Sequence, residues 1–333
     1  MAEPLLKVEH LKKYFHTNQG TLHAVDDVSF TLNKGETLGV VGESGCGKST
    51  LGRTILRLHE PTDGKVFFEG KEITTLGKLE MKNIRRDMQI IFQDPFASLN
   101  PRMTISETIG ESLLIQKIYT RKQADQLRKR VLELMDFVGL SPRLVNSYPH
   151  ELDGGRRQRI GIARTLALDP KFIVCDEPVS ALDVSIQAQI LNLMQDLQDE
   201  FGLTYLFITH DLSVVKHLSN TIAVMYLGQV VEHAPSLQLF EKPLHPYTKA
   251  LFSAIPMPDP DYKMERVILE GSIPSPADPP CGCKFHTRCR ECMEICKDTI
   301  PEYREVEKGH YCACHLYNET KTDPALQKEA KKA

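Results

Sequence analysis

Three groups of residues carry types and spacings that can do chemistry. The first is Gly42-Glu-Ser-Gly-Cys-Gly-Lys-Ser-Thr50, which fits the pattern G-x-x-x-x-G-K-[ST]. Glycines at 42, 45 and 47 let the backbone curl so that N–H groups along a loop that also holds Ser44, Cys46 and Thr50 point at phosphate oxygens. Lys48 can then reach the β- and γ-phosphates of a nucleotide, and the Ser49 hydroxyl can ligate Mg²⁺. The second group is Phe172-Ile-Val-Cys-Asp-Glu177, an apolar run ending in two carboxylates. Alone it reads as a strand leading into a solvated turn. Beside a phosphate loop, Asp176 is placed to hold hydrated Mg²⁺ and Glu177 to polarise a water against the terminal phosphate. The third is a crowd of cysteines, seven of the nine falling between positions 281 and 314. Disulfides are disfavoured inside cells, so clustered thiols read first as metal ligands.

These groups need elements to hold them. Short alternating runs, Leu5–Val8, Ala24–Phe30 and Glu36–Val41, read as strands, and Leu51–Leu58 behind the glycine-rich loop has helical spacing. From about Thr104 to Gly139 the period shifts toward 3.6, with Ile105, Ile109, Leu113, Val131, Leu134 and Met135 on apolar faces. The runs Phe172–Cys175, Tyr205–Ile208 and Ile222–Met225, separated by helical segments, have the rhythm of a parallel sheet covered by helices. Ligands of such sheets bind at the carboxyl ends of the strands. Beyond about Ala234 prolines crowd in, which places a boundary near Ala234–Pro243. A length of 333 residues agrees with two units, and the polar, Lys-rich stretch 318–333 reads as a frayed tail.

Composition narrows the function. With 41 basic and 44 acidic side chains the net charge is -3, which argues against a basic surface for nucleic acid. The start lacks a basic stretch followed by an apolar one, and no later run nears the ~18–20 apolar residues of a membrane span. A cytosolic or peripheral location is expected.

The motifs, taken in order, resemble those of the ATP-binding subunits of ABC transporters across residues 1–235. Ile91-Phe-Gln-Asp-Pro95 is similar to the family's Q-loop, Ser180-Ala-Leu-Asp183 to its D-loop and Ile208-Thr-His-Asp211 to its switch region. The resemblance implies an α/β P-loop core: a mixed sheet with helices, an N-terminal antiparallel β part, and an inserted helical subdomain at about 94–165. It implies ATP and Mg²⁺ as cofactors, Gln93 contacting the Mg²⁺ and water, His210 touching the γ-phosphate, and Tyr14 stacking on adenine. Where the family carries Leu-Ser-Gly-Gly-Gln, closing head to tail on the opposite subunit's γ-phosphate, this chain reads Leu152-Asp-Gly-Gly-Arg156. Gly154 and Gly155 keep the close backbone approach, but Asp153 puts a carboxylate where a hydroxyl is usual. One like-charge pair at about 4 Å and an effective dielectric of about 20 costs ~4 kcal/mol. Asp153 must therefore be compensated by Arg156 or turn away to cap the helix, and a heterodimer with a partner bearing an intact signature is expected.

Residues 236–317, with His245-Pro-Tyr-Thr-Lys-Ala-Leu251 and Ile273-Pro-Ser-Pro-Ala-Asp-Pro-Pro280, resemble the C-terminal extension of the oligopeptide and dipeptide branch, which includes nickel importers. Many members of that branch end in four spaced cysteines, matched here by Cys283, Cys289, Cys296 and Cys314 in the pattern C-x5-C-x6-C-x17-C. Spacing alone does not choose between tetrahedral Zn²⁺ and a [4Fe–4S] cluster; the resemblance favours iron–sulfur. Cys281, Cys292 and Cys312 are left over. The implied function is ATP-driven import of di- or oligopeptides, with nickel import or a mainly ATP-binding regulatory role as alternatives. The implied partners are a second ATPase subunit, two transmembrane permease subunits and an extracytoplasmic peptide-binding protein, and the implied place is the cytoplasmic face of the membrane.

Overall fold

The computed structural model describes residues 4–18, 20–254, 269 and 271–318. Two long strands open the chain, β1 (Leu6–Thr17) and β2 (Gly20–Leu32), paired antiparallel. Their alternation looks like shorter runs because the ladder is irregular between Val8 and Tyr14. His10 and Asp27 take positive φ values of 48° and 61° there, as residues at bulges do. With β4 (Asp63–Phe68) and β5 (Lys71–Glu72) they form a four-stranded sheet in the order β2-β1-β4-β5.

The main sheet has eight strands, ordered β11-β12-β10-β9-β3-β8-β7-β6. Its centre is β3 (Thr37–Val41), β8 (Thr204–Ile208) and β7 (Phe172–Asp176), in which every residue is buried. Strands covered on both faces give continuous apolar runs rather than alternation, which is why β7 and β8 were legible as such. β6 (Met88–Ile91) and β9 (Thr221–Tyr226) extend the parallel set, and β10 (Gln229–Pro235) returns antiparallel to β9. The phosphate-loop helix, Lys48–Ile55, lies tight on this sheet: a Cβ on Gly52 would stand 2.6 Å from Val174 Cγ1.

Helices Ile105–Ile115, Ala124–Phe137 and Gly154–Leu166 pack together through Ile109, Leu113, Val131, Leu134 and Ile160. The first is fixed by a reciprocal cap between Thr104 and Glu107. After β10 the chain adds helix Pro246–Phe252 and then β11 (Arg304–Glu307) and β12 (His310–Cys312); β12 pairs with β10 and β11 with β12, lengthening the main sheet. Buried Glu232 fastens this region: its carboxylate accepts the Leu244 and His245 N–H groups at 2.7 and 2.9 Å and lies 2.7 Å from His310 Nε2. The stretch expected to fray lies outside the described residues from 319 onward. Among the described residues no helix is long and apolar enough to cross a membrane.

Candidate nucleotide-binding site

The carboxyl ends of β3, β7 and β8 open onto a cavity of about 540 Å³ bordered by Ser44, Gly45, Gly47, Lys48, Ser49, Thr50, Gln93, Glu177 and His210. Sharp backbone turns shape the loop. Gly47 has φ 107°, and a Cβ there would fall 1.9 Å from the Ala24 carbonyl oxygen. Gly45 has φ 79° and faces open space, as a cradle for a polyanion requires. Lys48 is buried and donates from Nζ to the carbonyls of Gly42 at 2.8 Å and Glu43 at 3.1 Å. Gly42, with φ 152°, is not among the residues bordering the cavity, and a Cβ there would meet the Met225 carbonyl oxygen at 2.2 Å.

Two carboxylates hold different places. Asp176, buried, accepts from Ser49 Oγ at 2.6 Å and from Arg53 at 3.1 Å, so the two residues expected around Mg²⁺ already touch. Glu177 borders the cavity with a φ of 50°, a conformation costing a non-glycine residue of the order of 1 kcal/mol or more and concentrated at functional sites. Its N–H is tied to Ile208 across the sheet at 2.9 Å. Gln93 Nε2 donates to Glu177 Oε2 at 2.8 Å, and His210 Nδ1 lies 3.3 Å from the same oxygen. Three loops far apart in the chain thus meet on one carboxylate oxygen.

Two expectations are corrected. Tyr14 does not border the cavity; its ring packs on His23 with centroids 4.2 Å apart and its hydroxyl donates to Asp26 at 2.5 Å, while the neighbouring Phe15 lines the cavity. Each one-residue slip of a ladder exchanges the two faces, and the irregular stretch before Tyr14 hides which of two adjacent rings faces inward. Cys46, read as a nucleotide contact, is turned into the core, its N–H donating to the Glu43 carbonyl at 3.3 Å. Pro276, from the C-terminal extension, also borders the cavity, a contribution that no local motif announces.

Asp153 caps helix Gly154–Leu166: its carboxylate accepts the Arg156 N–H at 2.8 Å, and Arg156 Nε lies 3.5 Å from the other oxygen. Neither it nor Gly154 and Gly155 borders the cavity of its own chain. Gly155 packs so close to helix Val184–Phe201 that a Cβ would reach Ile186 at 2.7 Å.

In the C-terminal region Cys296 and Cys314 are buried, Cys283 and Cys289 partly so. The Cys283 N–H donates to the Cys296 carbonyl at 2.8 Å. Burial pushes the Cys314 thiol up to about 12, with Cys283, Cys289 and Cys296 adding to the rise, so the four lie within electrostatic reach of one another. Among the described residues no group of three or more His, Cys, Asp or Glu side chains is disposed to hold a single metal ion.

A glycine-rich loop between a buried strand and a helix, with carboxylates at the neighbouring strand end, defines a P-loop nucleoside triphosphatase. The ABC transporter family matches residues 25–180, and the C-terminal region of oligopeptide/dipeptide transporters matches residues 231–296. An oligopeptide transport ATP-binding protein, AppF of Bacillus subtilis (strain 168), is 52% identical over 95% of this chain and 98% of its own. A putative peptide import ATP-binding protein of Brucella ovis is 54% identical over 93% of this chain and 97% of its own. The dimeric ATP-binding cassette MJ0796, solved in a post-hydrolysis state with ADP and Pi, superposes with a TM-score of 0.64 at 31% identity, covering 69% of this chain and 98% of its own. The chain belongs to the ABC transporter family, as an ATP-binding ATPase subunit of its oligopeptide/dipeptide branch.

Proposed function

We propose that this chain is one of two non-identical ATPase subunits that drive import of di- or oligopeptides, docked on the cytoplasmic side of two permease subunits that receive substrate from an extracytoplasmic binding protein. The observation that carries the motor role is the convergence of Gln93 and His210 on Glu177 at the mouth of the phosphate cavity. Glu177 acts as the base that orients water; His210 and Gln93 hold its carboxylate and sense the γ-phosphate; Lys48 and the loop amides bind the phosphates. Ser49, Asp176 and Gln93 hold Mg²⁺, whose charge supports phosphoryl transfer. Residues 1–235 form the nucleotide unit, with its helical part at about 94–165, and 236–317 the extension. The names of the relatives, all of peptide or oligopeptide transport, favour peptides over nickel. The test is Glu177→Gln in the assembled transporter: ATP binding is retained and transport stops, whereas unimpaired transport would show that this site is not the motor.

The heterodimer rests on Asp153. Its carboxylate is turned onto its own helix and shared with Arg156, which lessens the repulsion of a partner's γ-phosphate without supplying the missing hydroxyl.

Cys283, Cys289, Cys296 and Cys314 are the ligands of a [4Fe–4S] cluster. A single ion needs its ligands in mutual contact, which the described residues do not offer. A cluster, with one iron for each thiolate, sets its four sulfurs further apart than a single ion does, and the reading is supported by the four cysteines sharing one region, where the Cys283 N–H donates to the Cys296 carbonyl at 2.8 Å. The cluster's role in this reading is to staple a segment too short to hold a core of its own.

A further inference from the structure

We propose that Arg288 and Tyr247, both from the C-terminal extension, are positioning residues of the nucleotide site that grip the phosphate loop at Glu43. Glu43 is the second residue of that loop, and the motif places no demand on it. Its carboxylate takes two hydrogen bonds from the Arg288 guanidinium, at 2.7 and 3.1 Å, a fork-to-fork pair that fixes direction as well as distance. Its N–H donates to Tyr247 Oη at 2.9 Å, and its carbonyl receives Lys48 Nζ at 3.1 Å. One loop residue is thus held on three sides, twice by the extension.

The anchors are themselves immobilised. Tyr247 is fully buried, with ring centroids 4.8 Å from Tyr226 and 5.4 Å from Phe285. Arg288 is buried with its guanidinium 5.9 Å from the Tyr226 ring centroid, and Tyr226 ends β9 in the main sheet. Nearby, Lys284 Nζ donates to Asp26 at 2.7 Å and to the Leu227 carbonyl at 2.9 Å. The extension also approaches the cavity directly: the His23 N–H donates to the Pro276 carbonyl at 3.0 Å, and Pro276 lines the cavity.

The charge arrangement has a definite sign. A carboxylate within a loop built to hold a polyphosphate repels its ligand unless neutralised, and Arg288 supplies the neutralising charge from outside the loop. Removing Arg288 leaves a loop that is both loosened and negatively charged, so nucleotide binding weakens; removing the Glu43 charge as well relieves the second fault. This inference rests on the cavity being the nucleotide site, and Lys48→Ala tests that separately: undiminished ATP binding by that variant removes the site itself.

The experiment is ATP titration of the full chain, reading Kd and the number of binding sites. Arg288→Ala is expected to raise Kd about tenfold, as loss of one charge-assisted contact does. Glu43→Gln combined with Arg288→Ala recovers most of the loss, Arg288→Lys a part of it, and Lys297→Ala, an exposed surface change in the same region, leaves Kd within about twofold. Tyr247→Phe keeps the packed ring and removes only the acceptor, raising Kd about threefold; it carries the test if Arg288→Ala does not fold. An unchanged Kd in Arg288→Ala or Tyr247→Phe, fewer sites at unchanged Kd, or a double variant no better than Arg288→Ala overturns the proposal.

Discussion

Glu177 takes a positive φ where β7 ends and the cavity begins, and that local bend aims its carboxylate at Gln93 and His210. A general base contributes typically 10²–10⁴-fold to a rate. Replacing it with glutamine preserves shape and removes the base, so kcat for ATP is expected to fall at least about 100-fold with little change in ATP affinity. Steady-state kinetics of the assembled transporter check this; an equal rise in KM with kcat intact would assign Glu177 to binding instead. At this scale the motif residues were legible because their chemistry is local: Gly45, Gly47, Lys48 and Ser49 sit within one turn of chain, and the motif states what each does. Phe15 was not, because choosing between two adjacent rings depends on slips in the ladder. The Arg288–Glu43 pair was not either, since its members are 245 residues apart and neither belongs to a motif.

Helix Gly154–Leu166 sets the next scale. Its N-terminus offers unpaired N–H groups and a positive end, an anion site in general terms, but Asp153 already occupies one of those donors. In the proposed heterodimer the element would therefore meet the partner's nucleotide partly satisfied and carrying a negative charge. Asp153→Ser restores a neutral cap and is expected to raise ATPase activity of the purified subunit alone by about tenfold, the equivalent of about 1.4 kcal/mol. Vigorous cooperative hydrolysis by the unaltered subunit alone would instead remove the need for a different partner. Of the elements buried on both faces, β7 and β8 were read from their unbroken apolar runs, while β3 was read as a short alternating run although all five of its residues are buried. The long strands β1 and β2 were read short, because bulges at His10 and Asp27 interrupt the alternation on which strand reading depends.

Across the whole molecule the extension packs onto the nucleotide unit, through β12 on β10 and through Arg288 and Tyr247 on Glu43. If the four cysteines hold a cluster, anaerobically purified protein is brown and contains iron and sulfide, and chelation lowers its melting temperature by several degrees; colourless, zinc-loaded protein would sink the assignment. The junction carries an acid weakness as well. Burial holds His233 and His245 down to about 4, with His310 adding to the effect on the first, and Lys249 adding to but Glu232 opposing the effect on the second. Between pH 6.5 and 4 the unfolded chain then binds protons that the folded chain refuses, so stability falls as pH drops through that window, by about 1.4 kcal/mol per histidine per unit. Thermal melts at pH 7.5 and 5 measure it, and equal melting temperatures refute it. The two-unit reading from length and proline content saw a change of character near 235 but not that the later chain returns to the same sheet. That return matters for solubility. Without β11 and β12, the edge of the main sheet would be β10, and the stretch around Val231–His233 that now meets Tyr311–Ala313 would be open to any other strand. The final hairpin covers that edge and ends the sheet in a four-residue strand bearing Arg304, Glu305 and Glu307. Shortening the protein ahead of residue 304 therefore uncovers a sticky β edge, and the product would be lost to aggregates rather than recovered as a smaller motor.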